Sequence, residues 1–490
     1  MTKPLSNATL DDLPEGVRVP RYDRSALTRG IVHIGLGNFH RAHQAWYLHR
    51  LMDDGLAHDW AIVGAGVRPA DAAQRDRLLA QDCLTTLIEL DPGGVSAEVT
   101  GPMIDYLPIA PDNAPLIAQL ADSAIRIVSL TVTEGGYFTD PATGRIDVTH
   151  PDIRHDAANP DTPRSVFGAI VAGLRQRRVQ GTGPFTVMSC DNLRGNGDIT
   201  RDAVISLARL SDPDLAAWID AEVTFPNAMV DCIVPATGPH EIALAASLGI
   251  ADTAPVTHEN YRQWVIEDRF CAGRPPLEEV GVTFTDDVHA HEAMKIRILN
   301  AGHQVLANVG ELMGVTTIAG CMEHPLIRPF FRKVQQEEIL PFVAPVPGTT
   351  AAAYLDLIER RFANTAIADT TRRVAFDGAS RHTGFLLPIL RDGLAAGAPV
   401  RGLALVEALW ARMCTGLRED GSVIEPNDPQ WRALCEAAQR AQDRPMAWLE
   451  QDHLYGTLGS DPAFAAPFCD WLTQLHDRGV AAVVSDYLAA

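Results

Sequence analysis

A chain of 490 residues exceeds what one hydrophobic core usually supports, so two domains are expected. A hydrophobic fraction of 46% and a mean hydropathy of -0.01 are those of a soluble globular protein. The formal charge of -21 argues against nucleic acid or an anionic membrane as a partner, because either needs a clustered basic surface.

Eight cysteines (Cys83, Cys190, Cys232, Cys271, Cys321, Cys414, Cys435 and Cys469) are scattered, with no CxxC pair and no Cys/His spacing of a structural zinc site. They read as reduced, buried thiols of a cytoplasmic protein. The N-terminal MTKPLSNATLDDLPEG lacks the apolar run of a signal peptide. No stretch of about 18 uncharged apolar residues occurs, so no membrane span is expected.

In chain order, about 28 residues of polar, proline-containing lead-in end at Gly30. Ile31–Ile34 reads as a short strand, followed at once by Gly35-Leu36-Gly37-Asn38-Phe39-His40 and a helical run through Ala42, Trp46 and Leu51. Strand, glycine turn and helix is the context in which GxG binds a dinucleotide: Gly35 permits the tight turn, and Gly37 lets the backbone approach a pyrophosphate at the helix N-terminus. The turn residues Asn38 and Phe39 join the expected cofactor contacts. The third glycine of that fingerprint is absent, with His40 in its place, and an ordinary strand-to-helix turn is the alternative. A second strand, Trp60–Val63, leads to Arg68 and Asp71. Asp71 could hold a ribose 2′-hydroxyl, favouring NAD, whereas Arg68 could favour the 2′-phosphate of NADP; a solvated loop is the alternative for both.

Further strands read at Leu84–Ile88, Ile125–Val132 and Phe185–Ser189. Two run into polar turns that place Thr133, Glu134 and Asn192 at carboxyl ends of strands, where ligands gather in open α/β sheets. Asn192 could equally be a helix cap or turn residue. Pro163–Gln180 reads as a helix on the sheet. Residues 223–236 hold a further strand in which Asp231, among Val230, Cys232 and Ile233, must be paired or face solvent.

After about residue 285 glycine-terminated strands give way to helical periodicity: the run from Glu292 through Leu306, then Thr350–Phe362, Leu403–Leu417, Trp431–Gln442 and Phe464–Leu475. A proline-rich connector, Pro341–Pro347, interrupts it. The fold class is therefore α/β, with a Rossmann-type dinucleotide-binding domain over 1–285 and a mostly α-helical substrate domain over 286–490. Glu292–His303, EAMKIRILNAGH, stands out. At roughly 100° per residue, with Lys295 at 0°, Leu299 falls near 40°, Glu292 near 60°, His303 near 80° and Asn300 near 140°. A lysine beside a histidine, an asparagine and a carboxylate is a setting in which an amine can act as a base near neutral pH. A charged surface helix is the alternative.

Six segments then carry a resemblance: GLGNFHRAH (35–43), TVTEGGY (131–137), SCDNLRGNG (189–197), FPNAMVD (225–231), KIRILNAGH (295–303) and RRVAFDGASR (372–381). In this order they resemble the polyol-specific long-chain dehydrogenases, from about residue 30 to near the C-terminus. The resemblance implies a metal-independent, NAD-dependent oxidoreductase interconverting a polyol and a ketose. It implies Lys295 as general base, Asn192 and Asn300 as oxyanion hole, and His303 as hydrogen-bond partner of the substrate. Glu292 is implied as the acid linking the lysine to solvent, with Asp231, Arg373 and Arg381 lining the polyol pocket. It also implies a monomer. Two departures bear on the substrate: Arg381 stands where the family pattern has lysine, and Cys232 where it has arginine. Mannitol and fructose lead, ahead of arabinitol, sorbitol, and the uronates fructuronate and tagaturonate.

Overall fold

The computed structural model describes residues 3–140 and 143–490. They divide into two units, Met1–His289 and Ala290–Ala490, each built on its own apolar core.

In the first unit five parallel strands, β1 (Arg29–Ile34), β2 (Ala61–Ala65), β3 (Met103–Tyr106), β4 (Ile127–Leu130) and β5 (Thr186–Ser189), lie in the order β3-β2-β1-β4-β5. β1 is central, with Ile31 opposite Ile62 and Ile127, and Val32 opposite Val63 and Val128. β2, β4 and β5 are buried along their whole length, as a sheet covered on both faces requires. Strand order reverses at β1/β4, and the carboxyl ends of those two strands form the crevice where such sheets take ligands. The expected helix at 163–180 is Val166–Gln180, started by the Ser165 hydroxyl accepting from Gly168 N–H and ended by Gly181 at φ +71°.

The strand expected at Leu84–Ile88 is Thr85–Asp91, and it lies outside this sheet. It pairs antiparallel with Gly94–Thr100 in a second sheet that also holds Val256–Glu259 and Val17–Arg18. Part of the polar lead-in is thus stranded, and Lys3–Pro4 pairs with Ile250–Ala251. Two-residue strands carry no readable periodicity. The strand expected within 223–236 is Ala228–Asp231, antiparallel to Gln263–Glu267. The helix after β1 is two helices, Asn38–Ala42 and Gln44–Asp53, broken at His43. Its ring sits among Phe39, Tyr47 and Trp264 at centroid distances of 4.8, 5.3 and 5.3 Å.

The second unit is helical. Val288–Lys295 runs into a π-helical turn, Ile296–Asn300, and on into Ala301–Leu312, of which every residue is buried. Ala301–Leu312 is the axis of this core, packed against Ile318–Glu323, Ile327–Val334, Thr371–Ala375 and Arg401–Met413. The remaining expected helices are Ala351–Phe362, Arg401–Met413, Trp431–Asp443 and Pro462–Arg478. The third of the expected set stops at Met413 rather than Leu417, where Gly416 turns the chain at φ +82°. Among the described residues no helix is long and apolar enough to cross a membrane. All eight cysteines are thiols outside any disulfide; Cys83, Cys190, Cys321 and Cys414 are buried, but Cys232, Cys271, Cys435 and Cys469 are half-exposed, so the expectation of buried thiols fails for those four.

Leu306 is fully buried in the axial helix, so Leu306→Ala should destabilise the protein by about 2–5 kcal/mol. Urea unfolding checks this, and an unchanged midpoint would mean the core closes around the gap.

Candidate active site

The first unit offers a dinucleotide cradle. Gly35 follows β1 at φ +91°, and a Cβ there would meet the Thr131 carbonyl oxygen at 2.2 Å, so only glycine fits. Gly37 is exposed, and a Cβ on it would touch nothing nearer than 4.0 Å, which leaves the backbone open to a phosphate. These are the properties a bound dinucleotide needs at this turn. The Asn38 side chain is engaged in structure: its amide donates to the Pro235 carbonyl and Thr237 hydroxyl, each at 2.9 Å, and its oxygen accepts from Arg41 at 2.7 Å. Phe39 stacks on His43. His40, in the place of the third glycine, is buried and stacked 3.4 Å from His33 of β1, and burial holds both imidazoles neutral, His33 at about 3. The Asp71 carboxylate accepts from Val67 N–H at 3.2 Å and Arg68 N–H at 3.0 Å and pairs with the Arg68 guanidinium at 3.3 Å. It shapes the loop after β2 with lone pairs to spare.

At the end of β4, Thr133 sits at φ +63°, costly for a β-branched residue, and opens the exposed turn that carries Glu134. Asp191, which the sequence reading passed over in favour of its neighbour, holds this turn. Its carboxylate accepts from Val132 N–H at 3.0 Å, Thr133 N–H at 2.9 Å and the buried Tyr137 hydroxyl at 2.7 Å. Burial raises the Asp191 pKa above the ordinary carboxylate range, opposed by those three donors. Asn192 follows, exposed, in a bend after β5; it does not cap the next helix, Asn196–Ser211, whose N-cap is Gly195. Asp231 ends its strand and is 6% exposed.

In the second unit the π turn alters the expected face. Ala301 N–H reaches back five residues to the Ile296 carbonyl as well as three to Ile298. A π turn rotates the chain less per residue than an α turn, so Asn300 lies nearer the side of Lys295 than the roughly 140° of an unbroken α-helix. Lys295 and Glu292 are buried, at 7% and 5% exposure. His303 is stacked on Phe362 at 4.3 Å, with Nε2 3.8 Å from Asp369 Oδ2, and that nitrogen has no hydrogen bond among the described residues. Burial, aided by Arg373, Arg381 and Arg361 and opposed by Asp369, lowers its pKa to about 3. Asp369 is in turn gripped by both sides of the Arg373 fork, at 2.6 and 2.8 Å. Asp369 lies four residues before Arg373, an i,i+4 spacing that was its only sequence signal. Arg381 donates to the Val374 carbonyl at 2.8 Å. Arg373 and Arg381 line a cavity of about 390 Å³ with Arg372, Phe376, Pro426 and Asn427. Among the described residues no group of three or more His, Cys, Asp or Glu side chains is set to hold a metal ion.

A family model of the mannitol dehydrogenase Rossmann domain matches residues 29–279, and one of the mannitol dehydrogenase C-terminal domain matches 287–476. A mannitol 2-dehydrogenase of Cereibacter sphaeroides is 57% identical over 98% of this chain and 100% of its own length. Among solved structures, Pseudomonas fluorescens mannitol 2-dehydrogenase in ternary complex with NAD and D-mannitol is similar at a TM-score of 0.88 and 41% identity, covering 99% of this chain and all of that one. A substrate-free D-sorbitol dehydrogenase is similar at 0.91 and 36% identity, covering 98% of this chain and 100% of that one.

Two outcomes test this geometry. Asp191→Ala leaves the Val132 and Thr133 N–H groups without their acceptor, about 1–3 kcal/mol for each that stays buried, and should weaken NADH binding at least about tenfold by fluorescence titration; unchanged affinity would make the turn self-supporting. His303 is held neutral, with a pKa below that of the unfolded chain, so its stabilisation is full above pH 6.5 and lost as the pH falls towards 3. His303→Gln should therefore flatten the acid loss of stability in that window. It should leave the pH dependence of turnover above pH 6 unmoved.

Proposed function

The chain belongs to the mannitol dehydrogenase family, and on that premise we propose that it catalyses the NAD-dependent, metal-independent oxidation of a polyol to a ketose, D-mannitol to D-fructose being the leading pair. The observation that carries the reading is the buried His303 Nε2, without a protein hydrogen bond, one turn beyond Asn300 on the helix of Lys295. A buried unpaired imidazole nitrogen costs about 1–3 kcal/mol and is satisfied by a substrate hydroxyl.

In this reading the bound nicotinamide supplies the acceptor for the hydride that leaves the carbinol carbon. Lys295 takes the proton of the hydroxyl on that carbon. Asn300 and Asn192 donate amide N–H groups to the oxygen as negative charge builds on it. His303, neutral at working pH, hydrogen-bonds and orients a neighbouring hydroxyl. Glu292, one turn before Lys295, passes the proton on towards solvent. Gly35, Gly37, Asn38, Phe39, Asp71, Thr133 and Glu134 are assigned to the dinucleotide, and Asp231, Arg373 and Arg381 to the polyol.

The charge around the cavity supports a neutral substrate over a uronate. The Arg373 fork is committed to Asp369, and Arg372 donates to the Glu425 and Pro426 carbonyls and lies 3.9 Å from Glu311. D-Sorbitol is the second reading, supported by the likeness to the D-sorbitol dehydrogenase backbone. A monomer in the cytoplasm completes the proposal.

Lys295→Ala should remove most of kcat for polyol oxidation and abolish its pH dependence; near wild-type turnover would refute the base assignment. Asn300→Ala should cost on the order of 10²–10³ in rate, and a small change would make it structural. NADH formation across mannitol, sorbitol, arabinitol and fructuronate's alcohol, with and without chelator, reads the substrate. Preferred turnover of an anionic alcohol, or loss with chelator, would overturn that part.

A further inference from the structure

The π turn that brings Asn300 nearer the side of Lys295 is held from a helix more than thirty residues away. Its Ile298 carbonyl shares the single Ala301 N–H with Ile296. The carbonyl also accepts from Gln335 Nε2 at 2.8 Å, and Gln335 is fully buried. The partner is an acceptor only, so the amide must present its N–H side. Gln335 is itself the first residue of a π-helical segment, Gln335–Ile339, packed on the first. The amide is seated over Gly302, where a Cβ would come within 2.6 Å of its nitrogen and 2.9 Å of the Phe331 ring. On the outer side of the same turn, Arg297 donates to the Phe342 carbonyl at 2.7 Å and pairs with Asp392 at 2.5 Å. A turn so rare in helices persists only where its loosened carbonyls find other donors.

We propose that Gln335 is a positioning residue for the alcohol oxidation: its amide N–H fixes the π turn and thereby the placement of Asn300 relative to Lys295. The inference rests on the assignment of those two residues as oxyanion donor and base. It places no part of Gln335 against substrate.

The test compares Gln335→Met, which keeps the length and loses the donor, with Gln335→Glu, whose buried carboxyl donates only while protonated. Gln335→Met should lower kcat at least about tenfold, since small displacements of reacting groups cost that and more, with KM for NAD unchanged. Gln335→Glu should stay near wild type at pH 6 and fall to the rate of the Met variant by pH 9, relative to wild type at each pH. A merely structural role would leave the ratio of the two variants constant with pH. Should the Met variant fail to fold, Gly302→Ala displaces the same amide and should show the same loss of kcat. A kcat within twofold of wild type in Gln335→Met or Gly302→Ala, or a pH-independent ratio, overturns the proposal. Lys295→Ala measured alongside separates the two readings: its inactivity beside an unimpaired Gln335→Met rejects the positioning role alone, whereas an active Lys295→Ala rejects the base.

Discussion

The phase of one helix constrains the second unit. Ala301–Leu312 is buried on all sides, so its rotation is set by the core and cannot be adjusted to suit a ligand. Lys295 lies upstream on the same continuous run, and an unbroken α-helix would leave Asn300 roughly 140° away from it. The π turn reduces that mismatch locally, within five residues, without disturbing the packing downstream. Its cost falls on the backbone, where a single N–H serves two carbonyls, and the Gln335 amide from a distant helix offsets it.

The first unit solves a related problem with charge. Thr133 occupies a backbone region that costs a β-branched residue about 1–3 kcal/mol, and it does so at the crevice end of β4. Asp191, from the end of β5, gathers Val132 N–H, Thr133 N–H and the Tyr137 hydroxyl on one carboxylate. β4 and β5 are thereby tied at the point where their turns diverge. Tyr137 is anchored a second time, to the Ser189 hydroxyl at 2.6 Å, so the clamp is continuous with the sheet. In both units a strained backbone at the site is held by a side chain remote in sequence.

That remoteness marks what could be read from the sequence. The strand, glycine turn and helix at 31–51 were legible because local sterics alone dictate them: Gly35 must take positive φ beside the Thr131 carbonyl. Five helical runs of the second unit were legible from apolar stripes of period 3.6, whereas Ile318–Glu323, Ile327–Val334, Leu387–Ala395 and Val480–Ala489 were not read. The π turn was not, because its residues, IRILN, have the same composition as an α-helix and its cause is the Gln335 amide 37 positions on. Asp191 was invisible for the same reason, its donors Val132, Thr133 and Tyr137 lying more than fifty residues away, whereas Asp369 had only its i,i+4 spacing to Arg373 to mark it. The second sheet escaped because its outer strand, Val17–Arg18, has two residues, and because only the first strand of its hairpin, Thr85–Asp91, was read.

The arginines near His303 bear on substrate chemistry in a way their number conceals. Three of them depress the pKa of a buried imidazole, so each added proton there would meet both desolvation and repulsion, and His303 stays a neutral partner able to donate from one nitrogen and accept at the other. A polyhydroxy chain, whose hydroxyls both donate and accept, matches such a group better than a carboxylate, which accepts only. Asp369 would by itself favour the imidazolium; the Arg373 fork, closing on both its oxygens, removes that incentive. The Arg373–Asp369 pair thus neutralises charge at the rim of the cavity while keeping the histidine beside it in the form a polyol requires. At Arg381, where the family pattern has a lysine, one guanidinium N–H is already held by the Val374 carbonyl. The planar fork can satisfy that backbone group and still present donors along another edge, which a lysine ammonium on a flexible stem would do with less directional control.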